Sequence, residues 1–281
     1  MTKVSWAVAV GLMAALGACS GRGDTETAAS TGYVVPHDST IPDGLLGASI
    51  RRGRALLLHT NDSLPEYVGN RLTCTNCHPD AGTRFNAMPW VGVYGRFPQY
   101  RSRSASIQII EDRIDDCFIR SMNGKPLPRE GTEMRDMIAY MAFLSRGTPV
   151  GEETPGQGLP KLDLMSGDSA AGAMVYAAEC ARCHGEDGNG GVGPPVWGDG
   201  SYNIGAGMAR LRTAAAFIRG NMPMDRPGTL TDRQATDVAA YINSHPRPDL
   251  PGKEHDWPNG DPPPDAAYET LAAAQKAAQG R

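Results

Sequence analysis

The chain has 281 residues, enough for about two domains. Its composition, 40% hydrophobic and 21% charged, is ordinary for a soluble globular protein, and a net charge of −4 gives no reason to expect nucleic acid. Only five Phe stand against 34 Gly and 22 Pro, so turns and long loops are many and large core side chains few. The charge is uneven. Residues 41–150 hold fourteen Lys/Arg against eleven Asp/Glu, and residues 151–248 eight against eleven, which makes the first stretch the better receiver for an anion.

In chain order, residues 1–18 carry Lys3, an apolar run from Val4 to Leu16 and small residues before Cys19. The run is short for a bilayer span and is predicted to be a signal peptide. Its ending, Leu16-Gly17-Ala18-Cys19, reads as a lipoprotein cleavage box that would leave Cys19 lipid-modified, and Ser20 favours the outer membrane. Periplasmic export with a lipid anchor at Cys19 is therefore expected. Residues 19–40 are polar and aperiodic, a predicted flexible tether.

A first domain is expected over 41–150. Leu45, Leu46, Ile50, Ala55, Leu56 and Leu57 recur at helical spacing, about four turns. After a loop from His59 to Thr73 comes Cys74-Thr-Asn-Cys77-His78. Residues 79–103 read as a loop with Arg84, Arg96, Arg101 and Arg103, and no acid occurs between Ala81 and Ile110. Ser104 to Met122 is predicted helical, stopped by Asn123 and Gly124, and Glu130 to Arg146 is a second helix. A linker is placed at 151–165, within a Gly/Pro/Glu-rich run that begins at Gly147.

A second domain is expected over 166–248. Gly172, Tyr176 and Cys180 lie four apart on one helical face leading into Cys180-Ala-Arg-Cys183-His184. Its partner helix is predicted from Thr231 to His245, a glycine-rich loop over Gly185 to Gly207, and a helix from Met208 to Gly220 before the turn Asn221-Met-Pro-Met224. Both halves follow one order, helix, motif, loop, helix, candidate ligand, terminal helix, without sequence repetition. Residues 249–281 form a Pro/Ala-rich tail, an exposed wrap or loose end with no assigned chemistry.

Two C-x-x-C-H motifs on an exported chain point to two covalently bound haem c groups. The thiols of Cys74, Cys77, Cys180 and Cys183 would add to vinyl groups, and His78 and His184 would ligate iron. For the second iron, Met222 and Met224 are candidates, Met222 favoured because a proline follows it. For the first, Cys117, Met122 and His59 remain open. Cys117 is the cysteine left over by the count. Arg113, Cys117 and Ser121 share a helical face, and a cation beside sulfur favours the thiolate that ligates iron and attacks sulfur.

Pro89 to Arg103 (PWVGVYGRFPQYRSR) followed by Glu111 to Pro128 (EDRIDDCFIRSMNGKPLP) resembles the di-haem thiosulfate dehydrogenases, with a similar layout over 43–248. The resemblance implies an all-α fold of two tandem cytochrome c domains. It implies joining of two thiosulfates into tetrathionate, or the reverse, with electrons passed to an external acceptor such as a small cytochrome c. It also implies His78/Cys117 and His184/Met222 ligation and substrate roles for Arg103, Arg113 and Ser121. Some members have a lysine before that methionine; here Asn221 stands there, so no lysine switch is expected. Two other readings are a non-catalytic electron carrier, with Met122 as ligand, and a Sox-type cytochrome that conjugates thiosulfate to a carrier protein.

Overall fold

The computed structural model describes Met1, residues 32–163 and residues 166–280; the rest of the signal-like segment, Cys19 and most of the expected tether lie outside them. The principal helices are α1 (Gly44–Leu58), α2 (Ile110–Asp116), α3 (Thr132–Leu144), α4 (Ser169–Val175), α5 (Leu211–Asn221), α6 (Asp232–Ser244) and α7 (Leu271–Gln279). One hairpin pairs β1 (Gln99–Arg101) with β2 (Ser106–Gln108). The apolar core falls into two clusters, one around Ile50, Phe118, Met134 and Tyr140, the other around Tyr176, Trp197, Ile218 and Val238. No helix among the described residues is long and apolar enough to cross a membrane.

Each cluster is organised by a crossing of its first and last helices, and glycine makes the crossing possible. A Cβ on Gly172 would stand 2.0 Å from the Asp237 carbonyl oxygen of α6. One on Gly53 would stand 1.8 Å from the Asp136 carbonyl oxygen of α3. The acid on the opposite helix is buried at both crossings and ties the pair together. Asp136 accepts from Arg52 Nε at 2.7 Å and Arg52 Nη2 at 2.9 Å, while Asp237 accepts from the backbone N–H of Asp168 at 2.8 Å. Gly172→Ala should force the α4–α6 backbones apart and cost about 3 kcal/mol, the range for overpacking a tight contact. Thermal unfolding checks it through a lowered Tm of the haem-loaded protein; an unchanged Tm contradicts the crossing.

Several sequence expectations shift. On α1, Ile50 and Leu57 are buried, but Leu45 and Leu46 are exposed, because Gly47 and Gly53 carry the contact face instead. The helix expected from Ser104 starts only at Ile110. The Ser-rich stretch before it turns back on itself, setting Tyr100 opposite Ile107 in the hairpin, and the Asp112 carboxylate then accepts from the Ile109 N–H at 2.9 Å to begin α2. After Asp116 the helix widens into a π turn, Cys117–Ser121, with Met122 N–H donating to the Cys117 carbonyl at 3.0 Å. The same widening, Tyr176–Cys180, follows α4. α5 starts at Leu211, leaving Met208 in a short 3₁₀ turn.

The tail is not a loose end. Trp257 is 3% exposed, and Asp256 is buried against Arg120 on the first domain, with two contacts of 2.8 Å. Tyr33, near the end of the expected tether, is likewise buried, its hydroxyl donating to the Thr83 carbonyl at 2.7 Å.

Candidate functional site

The first C-x-x-C-H motif opens in a 3₁₀ turn, Cys74–Asn76, braced by the Thr60 hydroxyl, which donates to Cys74 Sγ at 3.2 Å. His78 Nδ1 lies 2.5 Å from the Met88 carbonyl, so the ring donates there and presents Nε2 as a ligand. Burial lowers His78 to about 4, keeping the imidazole neutral, and raises the Cys74 and Cys77 thiols to about 12. In the second motif His184 Nδ1 lies 2.7 Å from the Pro194 carbonyl. In both motifs the histidine is fixed by a carbonyl ten residues further on. None of the five described cysteines is in a disulfide.

Each motif faces a cavity. The first is lined by Cys74, Cys77 and His78 and also by Cys117, Ser121 and Met122. The second, about 500 Å³, is lined by Cys180, Cys183 and His184, with Met222 and Met224 among the facing residues. Two thiols, an imidazole with its second nitrogen already bonded, and a facing sulfur form a donor set that fits a covalent c-type haem in each domain. Leu72 and Cys77 line both cavities, so the two sites adjoin.

Of the candidates for the first facing ligand, the geometry drops His59, exposed at the end of α1 and outside the cavity lining. Cys117 and Met122 both line it. Cys117 is singled out by Arg113, whose Nη1 donates to Cys117 Sγ at 3.0 Å. The interaction with Cys117 holds Arg113 above the ordinary guanidinium range even though burial opposes it. The i, i+4 spacing that suggested this pair lies where α2 runs into the π turn, and Ser121 at the turn's end still reaches the same cavity.

The arginines separate into two groups. Arg84 is engaged by Asp80 at 2.8 and 3.0 Å and by Met224 Sδ at 3.1 Å. Arg96 is engaged by Gln157 at 3.2 Å and Glu153 at 3.1 Å. Arg101 and Arg103, in contrast, form no ion pair among the described residues. Burial lowers Arg101, with the Arg113 charge next in size, and burial lowers Arg103, with Arg120 next. Arg103 does not line the Cys117 cavity; its Nη1 donates to the Gly205 carbonyl at 2.5 Å, and its guanidinium lies 4.7 Å from the centre of the Trp257 ring.

Sequence reasoning missed Arg120, Asp256, Trp257, Tyr268 and Arg210. Arg210, on the second domain, acts by charge on both Arg101 and Arg103, and its Nε is buried without a partner. A tryptophan beside an acid in a Pro/Ala-rich tail, Asp256-Trp257, is the available signal. Asn221, buried with its amide donating to the Phe217 carbonyl at 3.2 Å, offers no amine beside Met222.

Fold and site together define a c-type cytochrome with two tandem domains and covalently bound haem. The family described as "SoxA/TsdA, cytochrome c domain" matches residues 67–150, and "Cytochrome C oxidase, cbb3-type, subunit III" matches residues 167–242. The chain is 44% identical over 256 residues to a thiosulfate dehydrogenase of Allochromatium vinosum, covering 87% of this chain and 92% of that one. It is 42% identical over 252 residues to one of Psychrobacter arcticus, covering 86% and 77%. The chain belongs to the thiosulfate dehydrogenase family. The solved thiosulfate dehydrogenase (TsdBA) of Marichromatium purpuratum matches with a TM-score of 0.78 and 38% identity over 81% of this chain, which spans 52% of that structure's chain.

Proposed function

We propose that this protein oxidises thiosulfate to tetrathionate, acting in the periplasm and handing electrons to an external acceptor. The observation that carries the reading is the partly buried Arg113–Cys117 pair, 3.0 Å apart, whose Cys117 lines the cavity that holds His78. Family membership supports it, since the relatives are named for this activity.

Two haem c groups are assigned. Cys74, Cys77, His78 and Cys117 would hold the first; Cys180, Cys183, His184 and Met222 the second. When bound, the haems supply one-electron acceptors that pass electrons outward. The chain's own residues handle the anions. Thiosulfate is a small dianion, and two must meet, so Arg113, Arg103 and the half-buried Arg101 offset their repulsion while guanidinium forks orient the sulfonate oxygens. Ser121 adds a hydroxyl at the same wall. The Cys117 thiolate forms an S–S bond with the terminal sulfur of one thiosulfate as two electrons leave, giving a cysteine S-thiosulfonate. The second thiosulfate attacks that sulfur, breaks the bond to Cys117, and departs as tetrathionate with the thiolate restored. The same groups serve tetrathionate reduction, the acceptor's potential deciding the direction.

The N-terminal signal and Cys19 support export and lipid anchoring to the outer membrane. Met122 lines the first cavity too, which is the observation that favours the second reading, a non-catalytic electron carrier. A steady-state assay separates them. The holoprotein should reduce ferricyanide only when thiosulfate is added, forming one tetrathionate for every two ferricyanide consumed. Absence of thiosulfate-dependent reduction removes the enzyme reading, and reduction without tetrathionate removes the product assignment.

A further inference from the structure

We propose that Trp257 is a positioning residue for Arg103, the C-terminal segment forming a back wall that fixes this guanidinium for an oxyanion; the inference rests on the thiosulfate reading of the site.

The contact is made twice over. The backbone N–H of Trp257 donates to the Arg103 carbonyl at 2.8 Å, and its ring lies under the Arg103 guanidinium at 4.7 Å. Arg103 leaves the β1–β2 turn with no acidic partner among the described residues, so the π face and the Gly205 carbonyl are what hold it. A ring face attracts a cation without neutralising it and takes up none of its N–H donors. The Gly205 carbonyl takes one of five, and the others remain for a ligand.

The Trp257 backbone marks the position as over-determined. Its φ is +51°, in the left-handed region where a large aromatic is rare and glycine is the usual occupant. Such a conformation persists only where neighbours enforce it. The neighbours are present. Asp256 grips Arg120 with two contacts of 2.8 Å, and Tyr268 donates to Asp256 at 2.5 Å. The Tyr268 ring lies 5.7 Å from that of Trp257. Arg120 belongs to the π turn that carries Cys117, so the tail braces the reactive turn and the Arg103 loop at once. A segment serving only to cover an apolar surface would need neither the left-handed tryptophan nor the cation over its face.

The test uses the holoenzyme with W257L, which keeps apolar bulk but has no π face, and W257F, which restores one. Thermal unfolding and haem spectra control for folding and loading, and binding of radiolabelled thiosulfate is read alongside kinetics. W257L should raise the thiosulfate KM and dissociation constant about fivefold, with kcat within about twofold, and W257F should recover most of the loss. In an R103A background W257L should add no further change. The inference is overturned if W257L binds thiosulfate like wild type, if Leu and Phe are equally impaired, or if the effect is as large without Arg103. If W257L yields no haem-loaded protein, W257F in the two backgrounds decides: equal effects with and without Arg103 overturn the inference. Wild type that neither binds nor oxidises thiosulfate overturns the functional reading and this inference with it, whereas active wild type with an inert Trp257 overturns this inference alone.

Discussion

Cys117→Ala is expected to lower thiosulfate-dependent turnover by at least about 10³-fold, the scale seen when a covalent nucleophile is removed. Folding should survive. Cys117 is partly buried and its Sγ contacts Arg113, whereas the haem-attaching pairs, Cys74/Cys77 and Cys180/Cys183, are separate residues. The haem content of the variant should therefore match wild type. The physical reason for so large a loss is that one sulfur would have two tasks: it lines the cavity with His78, where it would ligate iron, and it would form the S–S bond to substrate. Removing it leaves Arg113 with no partner for its Nη1 and takes away the largest support of its charge, leaving the smaller influence of Asp116. Stopped-flow reduction by thiosulfate, with haem quantified by pyridine haemochrome, checks both halves. A variant with full haem and an undiminished rate would refute the role of Cys117.

Arg113→Leu is expected to lower kcat/KM about 100-fold or more, and Arg113→Lys to recover little of it. Leucine fills much of the same volume but removes the cation 3.0 Å from Cys117 Sγ. A buried charge-assisted hydrogen bond typically contributes about 2–3 kcal/mol, roughly 10²-fold in rate where the bond is strongest in the transition state. Lysine restores a charge but not the planar fork, so it does not hold the sulfur and a sulfonate oxygen in the fixed geometry of a guanidinium. The split between constants is informative. Loss mainly in kcat marks Arg113 as acting on the sulfur, and loss mainly in KM marks it as an anion anchor. Equal activity of the Lys variant and wild type would show that charge alone suffices.

Much of this site is legible in the chain because its determinants are local. Covalent haem attachment needs two thiols and an imidazole within five residues, so Cys74 to His78 and Cys180 to His184 declare themselves. The Arg113–Cys117 contact follows from one helical turn. Of the two glycines at the helix crossings, Gly172 stands out in the sequence because it shares a helical face with Tyr176 and Cys180, whereas Gly53 is hidden in a leucine-rich run. The hairpin at 99–108 was hidden because strand pairing is set by a partner segment and by turn geometry, not by the run of serines itself. The docked tail was invisible for a similar reason. Asp256 meets Arg120 across 136 positions of sequence, and no local pattern in a proline-rich stretch encodes that distance. Arg103 shows the mixed case: its importance was anticipated from family resemblance, whereas its support, the Gly205 carbonyl and the Trp257 ring, is a tertiary arrangement.

The parallel between the domains extends further than the motifs. A buried aspartate at each helix crossing and a carbonyl ten residues beyond each histidine recur in both, and each domain has a π turn, in the first carrying Cys117 and in the second leading into the haem motif. What differs is the facing sulfur. A methionine such as Met222 would be a neutral ligand suited to relay, whereas a thiolate beside an arginine would be a nucleophile. On the proposed function, that difference would give the chemistry to the first domain and transfer to the second.

Low-temperature electron paramagnetic resonance of the oxidised holoprotein distinguishes the two sulfurs that line the first cavity. A low-spin ferric signal with the narrow g-spread of thiolate ligation is expected in wild type, retained in Met122→Leu and lost in Cys117→Ala. A spectrum unchanged by Cys117→Ala and altered by Met122→Leu would contradict thiolate ligation and with it the assignment of Cys117 as the reactive sulfur.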